Sequence, residues 1–600
     1  MGLLQRIRAD AAFLYGTVRV LRRVRKAATE EGDRTIVDIV EEFARKTPDS
    51  PAIIFDNRTW TYGEFNAAAN QYARWAQSQG IGRGDVVALM MENRPEYLIA
   101  WLGIIKVGGI AALINTNLSS QQLAYSLGIS GARYIVLGAE LAENYATAVD
   151  QLDSPIEVWA TGGKVQGSHD LDEALESMSG APLGPEVRAA VTMDDKCLYI
   201  YTSGTTGNPK AANITHRRIK NMMIGFAALT NAKAKDRMMI VLPLYHSAGG
   251  VCAVGIAFMA GGSVIIRQRF SVSSFWEDAV RFEATLFQYI GELCRYLLNG
   301  PQNFNENLHQ IRLAVGNGLR PDIWEDFKKR FRIPKVVEFY GATEGNVALF
   351  NQDGSPGAVG RIPRWASKAS NVDIVRFDIE TETPVRGVDG FCIRCEPNEV
   401  GEMIGQIDKD PDDPTTRFEG YADSEATERK ILRNVFQEGD MWFRTGDLLQ
   451  QDERGYFYFV DRIGDTFRWK GENVATSEVA EVLSVFPGVQ EANVYGVEVP
   501  GADGRAGMVS LVVESNPDFT ALQDHLNREL ASYARPVFLR LQKQIGVTGT
   551  FKHRKVDLVA EGYDPENISD PLYFRDPETD KFIPLDTALH GRITRGDIRL

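Results

Sequence analysis

Cysteine is scarce in this chain of 600 residues: there are five, an odd set without disulfide-framework spacing, which fits a reducing compartment. Cys392 and Cys395 form a Cys-x-x-Cys, but no second pair or histidine cluster accompanies them, so two ordinary thiols are expected rather than a zinc or redox site. Long clean apolar runs are missing too. Residues 97–114 come nearest to a membrane span, yet they carry Lys106 and Gly108-Gly109 and fall short of the ~20 apolar residues a span requires. They read instead as a buried helix over 96–107, a glycine turn and a strand over 110–115; residues 251–266 repeat the pattern, with Gly261-Gly262 before a strand over 263–266. Nor is there an excess of basic charge. Lys+Arg 66 against Asp+Glu 80 gives a net charge of −14, which argues against general nucleic-acid binding.

The first 26 residues invert that balance, with seven Arg and Lys facing only Asp10. Leu3, Leu4, Ile7, Ala11, Leu14, Val18 and Leu21 recur at helical steps, as in a basic helix lying in a membrane interface. The alternative is a helix docked on its own protein or on a partner. A secretory signal fits poorly, because its apolar region would have to contain Arg6, Arg8 and Asp10, and myristoylation fails because the sixth residue is arginine.

The most informative segment is Thr202-Ser203-Gly204-Thr205-Thr206-Gly207-Asn208-Pro209-Lys210, after an apolar run. Gly204 and Gly207 let the backbone approach an anion, four hydroxyls add donors, and Lys210 adds a positive charge. It is not a Walker A loop, since no Gly-Lys-Ser/Thr follows. Tyr340-Gly341-Ala342-Thr343-Glu344-Gly345, after a β-like run, offers an aromatic face for a base, a hydroxyl and a carboxylate able to take Mg²⁺. In Arg444-Thr445-Gly446-Asp447 the carboxylate can accept from both ribose hydroxyls. Asp461-Arg462-Ile463-Gly464-Asp465, with Lys470-Gly471-Glu472 soon after, reads as a polar joint between two folded units.

In this order the residues resemble the adenylate-forming superfamily. The stretches 242–249, 288–298, Gly316-Asn317-Gly318-Leu319-Arg320, 464–474 and 533–536, with Thr548-Gly549-Thr550-Phe551-Lys552 and 561–565, are similar to its fatty acid transport protein or very-long-chain acyl-CoA synthetase subgroup, over roughly residues 33 to 600. The resemblance implies an α/β fold: a basic amphipathic segment over 1–32, a large multi-subdomain AMP-binding domain over 33–462, and a small mobile α+β domain over 463–600 with a hinge near 462–465. It implies an ATP-dependent long-chain or very-long-chain fatty acid-CoA ligase that forms acyl-AMP and passes the acyl group to coenzyme A, which would drive uptake by metabolic trapping. Alternatives are an acyl-AMP ligase loading a carrier protein, and a fatty-acid transport or binding protein with weak catalysis.

The implied roles are residue-specific. The Thr202 to Lys210 loop (Thr202, Ser203, Gly204, Thr205, Thr206, Gly207, Lys210) holds phosphates, and Thr202 with Glu344 associates with Mg²⁺. Gly316, Asn317, Gly318, Tyr340, Gly341, Ala342 and Thr343 belong to the nucleotide site, with Tyr340 on adenine. Asp447 and Arg462 serve the ribose. His246 lies near the acyl carboxylate and α-phosphate, Lys552 bridges them during adenylation, and Lys470-Gly471 faces coenzyme A. Gly464 stands where many members carry Asp or Lys. The expected partners are a long-chain fatty acid and the cytoplasmic face of a membrane, reached through the N-terminal segment, with no nucleic acid and with oligomerisation possible.

Overall fold

The computed structural model describes residues 3–30, 32–188, 191–202, 209–407, 416–470, 472–502, 504–545, 555–598 and 600. They fall into two compact units, one made of Met1–Asn371, Gly405–Leu432 and Met441–Phe443, the other of Val372–Ile404, Arg433–Asp440 and Arg444–Leu600.

The first unit is built on two sheets. The larger has strand order Ala348–Asn351, Val336–Gly341, Leu313–Asn317, Leu286–Ile290, Arg237–Ile240, Ser263–Ile266, Pro51–Phe55, Arg58–Thr61, parallel throughout except for the antiparallel strand at each edge. The second runs His169–Asp170, Glu157–Thr161, Tyr134–Gly138, Val86–Met90, Ile110–Leu113, Lys196–Thr202, Lys210–Thr215, with only the last pair antiparallel. Short, wholly buried strands such as Ile110–Leu113 and Ser263–Ile266 are what a sheet covered on both faces demands.

The apolar segment around residue 100 is core, as its interruptions imply: a helix over Pro95–Lys106, then the strand Ile110–Leu113. Lys106 is fully buried, and its ammonium donates to Glu41 Oε1 (2.6 Å), Asn66 Oδ1 (2.7 Å) and Asn70 Oδ1 (2.9 Å). A buried cation is tolerated only when paired and hydrogen-bonded, so this lysine ties three helices together where it would have been costly in lipid. No helix among the described residues is long and apolar enough to cross a membrane.

The second unit contains a five-stranded sheet, Val489–Glu498, Arg505–Val513, Phe538–Gln542, Leu572–Asp576, Lys581–Pro584, with the helices Thr476–Ser484 and Phe519–Glu529. This is the small α+β arrangement expected of the C-terminal region. Its Cys392 and Cys395 are free thiols that burial pushes up, Cys395 to about 12, the reverse of what a thiolate ligand or redox pair needs.

The N-terminal helix spans Leu3–Glu30. Arg19 and Arg23 turn inward, donating to the carbonyls of Leu229 (2.9 Å) and Ala227 (3.1 Å), so the helix is docked on its own protein. Much of the apolar stripe read from the sequence lies outside this contact: Ala11, Leu14 and Leu21 are exposed, while Val18 is half-buried. The physical reason is the carboxyl end of the helix His216–Leu229, whose terminal carbonyls and negative dipole end attract guanidinium groups.

Candidate active site

In the first unit the predicted nucleotide residues converge at the carboxyl ends of parallel strands, where ligands of open α/β sheets bind. Thr202 ends one strand and Lys210 begins the next. Ser203, Gly204, Thr205, Thr206 and Gly207 lie outside the described residues. The segment around Tyr421 runs antiparallel to the strand carrying Lys210, with Ala212 opposite Tyr421 and the Ala422 N–H donating to the Ala211 carbonyl at 2.8 Å. That pairing puts the Lys210 ammonium 5.5 Å from the Tyr421 ring centroid, while the Tyr421 hydroxyl donates to Glu344 Oε1 at 2.6 Å. Burial and the adjacent Glu344 raise the phenol far above its usual range, with the Thr202 hydroxyl acting against them. Tyr421 therefore joins Thr202, Lys210 and Glu344, three residues chosen separately from the sequence.

Burial lowers the Lys210 ammonium, and Lys430 and Arg429 push the same way. Glu344 and Asp423 act against these cations, so the field is mixed, with a positive side that can meet an anion. Beside it, the buried Glu344 carboxylate and the Thr202 hydroxyl are an oxygen donor pair. Among the described residues no group of three or more His, Cys, Asp or Glu side chains could enclose a metal. Mg²⁺ is typically bound by one or two carboxylates plus substrate phosphates and waters, so this donor set fits it.

The loop carrying Gly341, Ala342, Thr343 and Glu344 is clamped by Arg218, which donates to the carbonyls of Ala342 (3.2 Å), Thr343 (2.9 Å from Nε) and Gly345 (2.5 Å). Ser247 Oγ lies 2.9 Å from Thr343 Oγ1 and links this loop to the histidine segment. His246 precedes a π-helix, Ser247–Ala253, a form frequent at functional sites. Its ring lies 4.6 Å from that of Tyr245. Gly249 and Gly250 permit the turn, since a Cβ would fall 2.5 Å from the Pro243 carbonyl and 1.9 Å from the Leu244 carbonyl.

Gly316, Asn317 and Gly318 form the end of an adjacent strand and the turn after it. The buried Glu338 holds them: its carboxylate accepts from the N–H groups of Gly318 (2.9 Å) and Leu319 (3.0 Å) and from the Tyr289 hydroxyl (2.6 Å). Burial pushes the Glu338 carboxyl up to about 8 although those three donors pull it down. Tyr340 lies one residue beyond Phe339 on the strand Val336–Gly341 and is half-buried.

In the second unit Asp447 and Arg462 are directly opposite each other on antiparallel strands, with Nε to Oδ1 at 3.9 Å. Gly446, at φ +80°, makes the kink before Asp447, and Arg444 anchors it by pairing with the buried Glu402 (2.8 Å). Lys470 sits at the tip of the hairpin Phe467–Trp469 and Glu472–Val474, exposed and at φ +52°. Gly464 is exposed, and a Cβ there would meet nothing within 4 Å. Gly471 and Lys552 lie outside the described residues.

Sequence reasoning missed Tyr421, Arg218 and Glu338. Two of them left a signal. Arg217 and Arg218 stand in the first turn of a helix with no acidic residue, where the dipole favours acids, and Glu338 interrupts the apolar run Val336–Phe339. Tyr421, in Glu419-Gly420-Tyr421-Ala422, carries no comparable mark.

Comparison with known proteins follows this geometry. Residues 40–404 match the AMP-binding enzyme family and residues 478–552 the AMP-binding enzyme C-terminal domain. The chain is 43% identical over 602 aligned residues to long-chain fatty acid transport protein 1 of Mus musculus, covering 99% of this chain and 92% of that one. Among solved structures, o-succinylbenzoate CoA synthetase from Bacillus subtilis with its OSB-AMP intermediate has TM-score 0.68 and 26% identity, covering 87% of this chain and 97% of that one. The anthranilate CoA ligase AuaEII with anthranoyl-AMP has TM-score 0.73 at 21% identity, covering 88% and 97%, a likeness of fold.

Proposed function

The chain belongs to the AMP-binding enzyme family, within it to the long-chain fatty acid transport proteins, and from that premise we propose that it is an ATP-dependent long-chain fatty acid-CoA ligase. A carboxylate cannot be passed to a thiol directly, because oxide is a very poor leaving group. The carboxylate oxygen attacks the α-phosphorus of ATP and pyrophosphate departs. The coenzyme A thiol then attacks the acyl carbon, the C–S bond forms and AMP leaves. The first step sets a carboxylate against a polyanion, so charge neutralisation and alignment carry the catalysis.

Lys210, with Arg429 and Lys430 adding to the local positive charge, receives phosphate charge. Thr202 and Glu344 would hold Mg²⁺, which supplies further neutralisation of the phosphates when bound. His246 and the Ser247–Thr343 pair orient the acyl carboxylate. Asp447 accepts from the ribose hydroxyls, with Arg462 across the strand pair, and Tyr340 and the loop Gly316, Asn317, Gly318 take the base. Lys552 bridges carboxylate and α-phosphate, and Lys470 with Gly471 meets coenzyme A. The observation that carries the reading is the junction of Thr202, Lys210 and Glu344 at Tyr421.

Long-chain fatty acids partition into bilayers, which suits an enzyme peripherally attached to the cytoplasmic face of a membrane through its N-terminal helix; conversion to the CoA ester then traps the fatty acid. The test is a panel of saturated fatty acids incubated with purified protein, ATP, Mg²⁺ and coenzyme A. Acyl-CoA and AMP are expected in equal amounts, highest for long chains. Acyl-AMP accumulating without thioester would assign a carrier-protein acceptor instead.

A further inference from the structure

The N-terminal helix is docked with Arg19 and Arg23 inward and Leu14 and Leu21 outward. Arg19 and Arg23 are spent on the carbonyls that end the helix His216–Leu229, and Arg23 also reaches the Ala232 carbonyl at 3.3 Å. The seating is close: a Cβ on the buried Gly16 would fall 1.5 Å from Gln352 Oε1. Outward face Leu14, 52% exposed, Tyr15, 69%, and Leu21, 58%. For a helix already held to its own protein, an apolar stripe turned to water has a cost that burial elsewhere recovers.

A second segment, remote in sequence, extends this surface. Trp365 is 59% exposed and meets Phe13 edge to face, with ring centroids 5.8 Å apart, while Arg361 pairs with Asp10. Residues 354–371 contain Arg361, Arg364 and Lys368 and no acidic residue. Arg364 and Lys368 are exposed on the turn Arg364–Ala369, as are Arg22, Arg25 and Lys26 on the helix. Two basic stretches of a chain with net charge −14 are thus brought together, each presenting large apolar side chains among cations.

We infer that the helix stripe and the Trp365 turn form one composite surface that seats on an anionic lipid bilayer, the turn being as much part of the contact as the helix. Exposed Trp and Tyr with flanking Arg and Lys are the residue set of a membrane interface, where the ring enters the headgroup layer and the cations meet anionic lipid. The inference rests on the membrane-surface reading above and adds a second contact and a fixed orientation: the helix is held to the first unit, so that unit is held to the bilayer.

The experiment uses the full chain and vesicles of phosphatidylcholine, with and without phosphatidylserine, at low and high salt. Wild type is expected to co-sediment with the anionic vesicles and to be released by salt. The pair Arg364→Glu and Lys368→Glu should lower partitioning about thirtyfold or more, since each cation near the surface contributes about 1 kcal/mol, and Trp365→Ala and the pair Leu14→Gln and Leu21→Gln should each lower it severalfold by removing the inserted apolar groups. All five positions are exposed, so acyl-CoA formation from a short, water-soluble substrate should be unchanged and would show that the variants fold. Loss of binding in the leucine pair alone would leave membrane attachment standing and overturn the composite surface. Failure of wild type to bind would overturn both. Self-association without vesicles, lost in the same variants, would reassign the surface to a second copy of the chain.

Discussion

The Tyr421 hydroxyl donates to the Glu344 carboxylate at 2.6 Å while the Tyr421 ring lies beneath the Lys210 ammonium. Because the phenol is held far above its ordinary range, it stays a donor throughout the working pH range and fixes the carboxylate oxygen it touches. Tyr421→Phe keeps the ring and removes the donor; Glu344→Gln keeps the size and removes the charge. Each should weaken acid-dependent ATP–pyrophosphate exchange, and Glu344→Gln should also need more Mg²⁺. In the double variant the losses should fall short of their sum by about 1.5–3 kcal/mol, the range for a hydrogen bond to a charged group. Additive losses within about 0.5 kcal/mol would show that the hydroxyl acts elsewhere.

Glu338 makes stability depend on pH. Its carboxyl titrates near 8 in the folded chain, above its unfolded value of about 4.3, so the folded state binds more protons between those values. The stabilising contribution is complete below the unfolded value and is lost as pH rises through 8. In Glu338→Gln the slope should vanish, while the amide sets a donor against the Gly318 or Leu319 N–H and loosens the turn at all pH values. Urea midpoints at pH 5.5 and 8.5 should therefore show the variant less stable at both, with the gap to wild type narrowing at the higher pH. A gap of constant size would mean that the carboxyl does not titrate in this window.

The fold class and the paired elements around Gly108-Gly109 and Gly261-Gly262 were legible because apolar runs, glycine turns and strand lengths are local properties. Asp447 and Arg462 were legible as separate motifs, and their meeting across two strands is a matter of register. Tyr421 was not legible. Its place beside Glu344 comes from a segment pairing with the strand Lys210–Thr215 from 206 residues away, as the bonds between Asn213 and Glu419 show, and a lone tyrosine after a glycine carries no trace of such a partner. The N-terminal helix was legible only in part, for a related reason. Its periodicity marks an apolar face, but which face docks was decided by carbonyls at the end of another helix.

Gly464, at the position where the family resemblance leads one to expect Asp or Lys, is not demanded by its own conformation. It is exposed and open around its Cα, so Gly464→Ala should be accommodated and stabilise the chain by about 0.4–1 kcal/mol through the unfolded state. If the glycine instead supplies freedom to a hinge, Ala should slow turnover through both half-reactions while leaving acyl-AMP formation in a single turnover intact. Equal steady-state and single-turnover rates relative to wild type would remove the hinge role.

Lys552, proposed to bridge carboxylate and α-phosphate, should be needed in one half-reaction. Lys552→Ala is expected to abolish acyl-AMP formation and to retain thioester formation from supplied acyl-AMP. Equal loss of both in a folded variant would defeat the assignment.

Lys470 separates function from stability most sharply. A lysine at φ +52° occupies the left-handed region, which costs a residue with a Cβ about 1 kcal/mol or more and costs glycine almost nothing. On stability alone Lys470→Gly is therefore expected to hold or raise the denaturation midpoint. The strain is retained at an exposed hairpin tip where the ammonium, 5.7 Å from the Trp469 ring centroid, gives the fold little in return. If it meets coenzyme A as proposed, it should matter in the second half-reaction: Lys470→Gly should raise the KM for coenzyme A about tenfold, the ~1.4 kcal/mol of one charge-assisted contact, with ATP–pyrophosphate exchange unchanged. Lys470→Arg should recover most of that loss, since it restores the charge at the same strained position. A variant that is more stable and equally effective with coenzyme A would leave the strain without a function and remove Lys470 from the site.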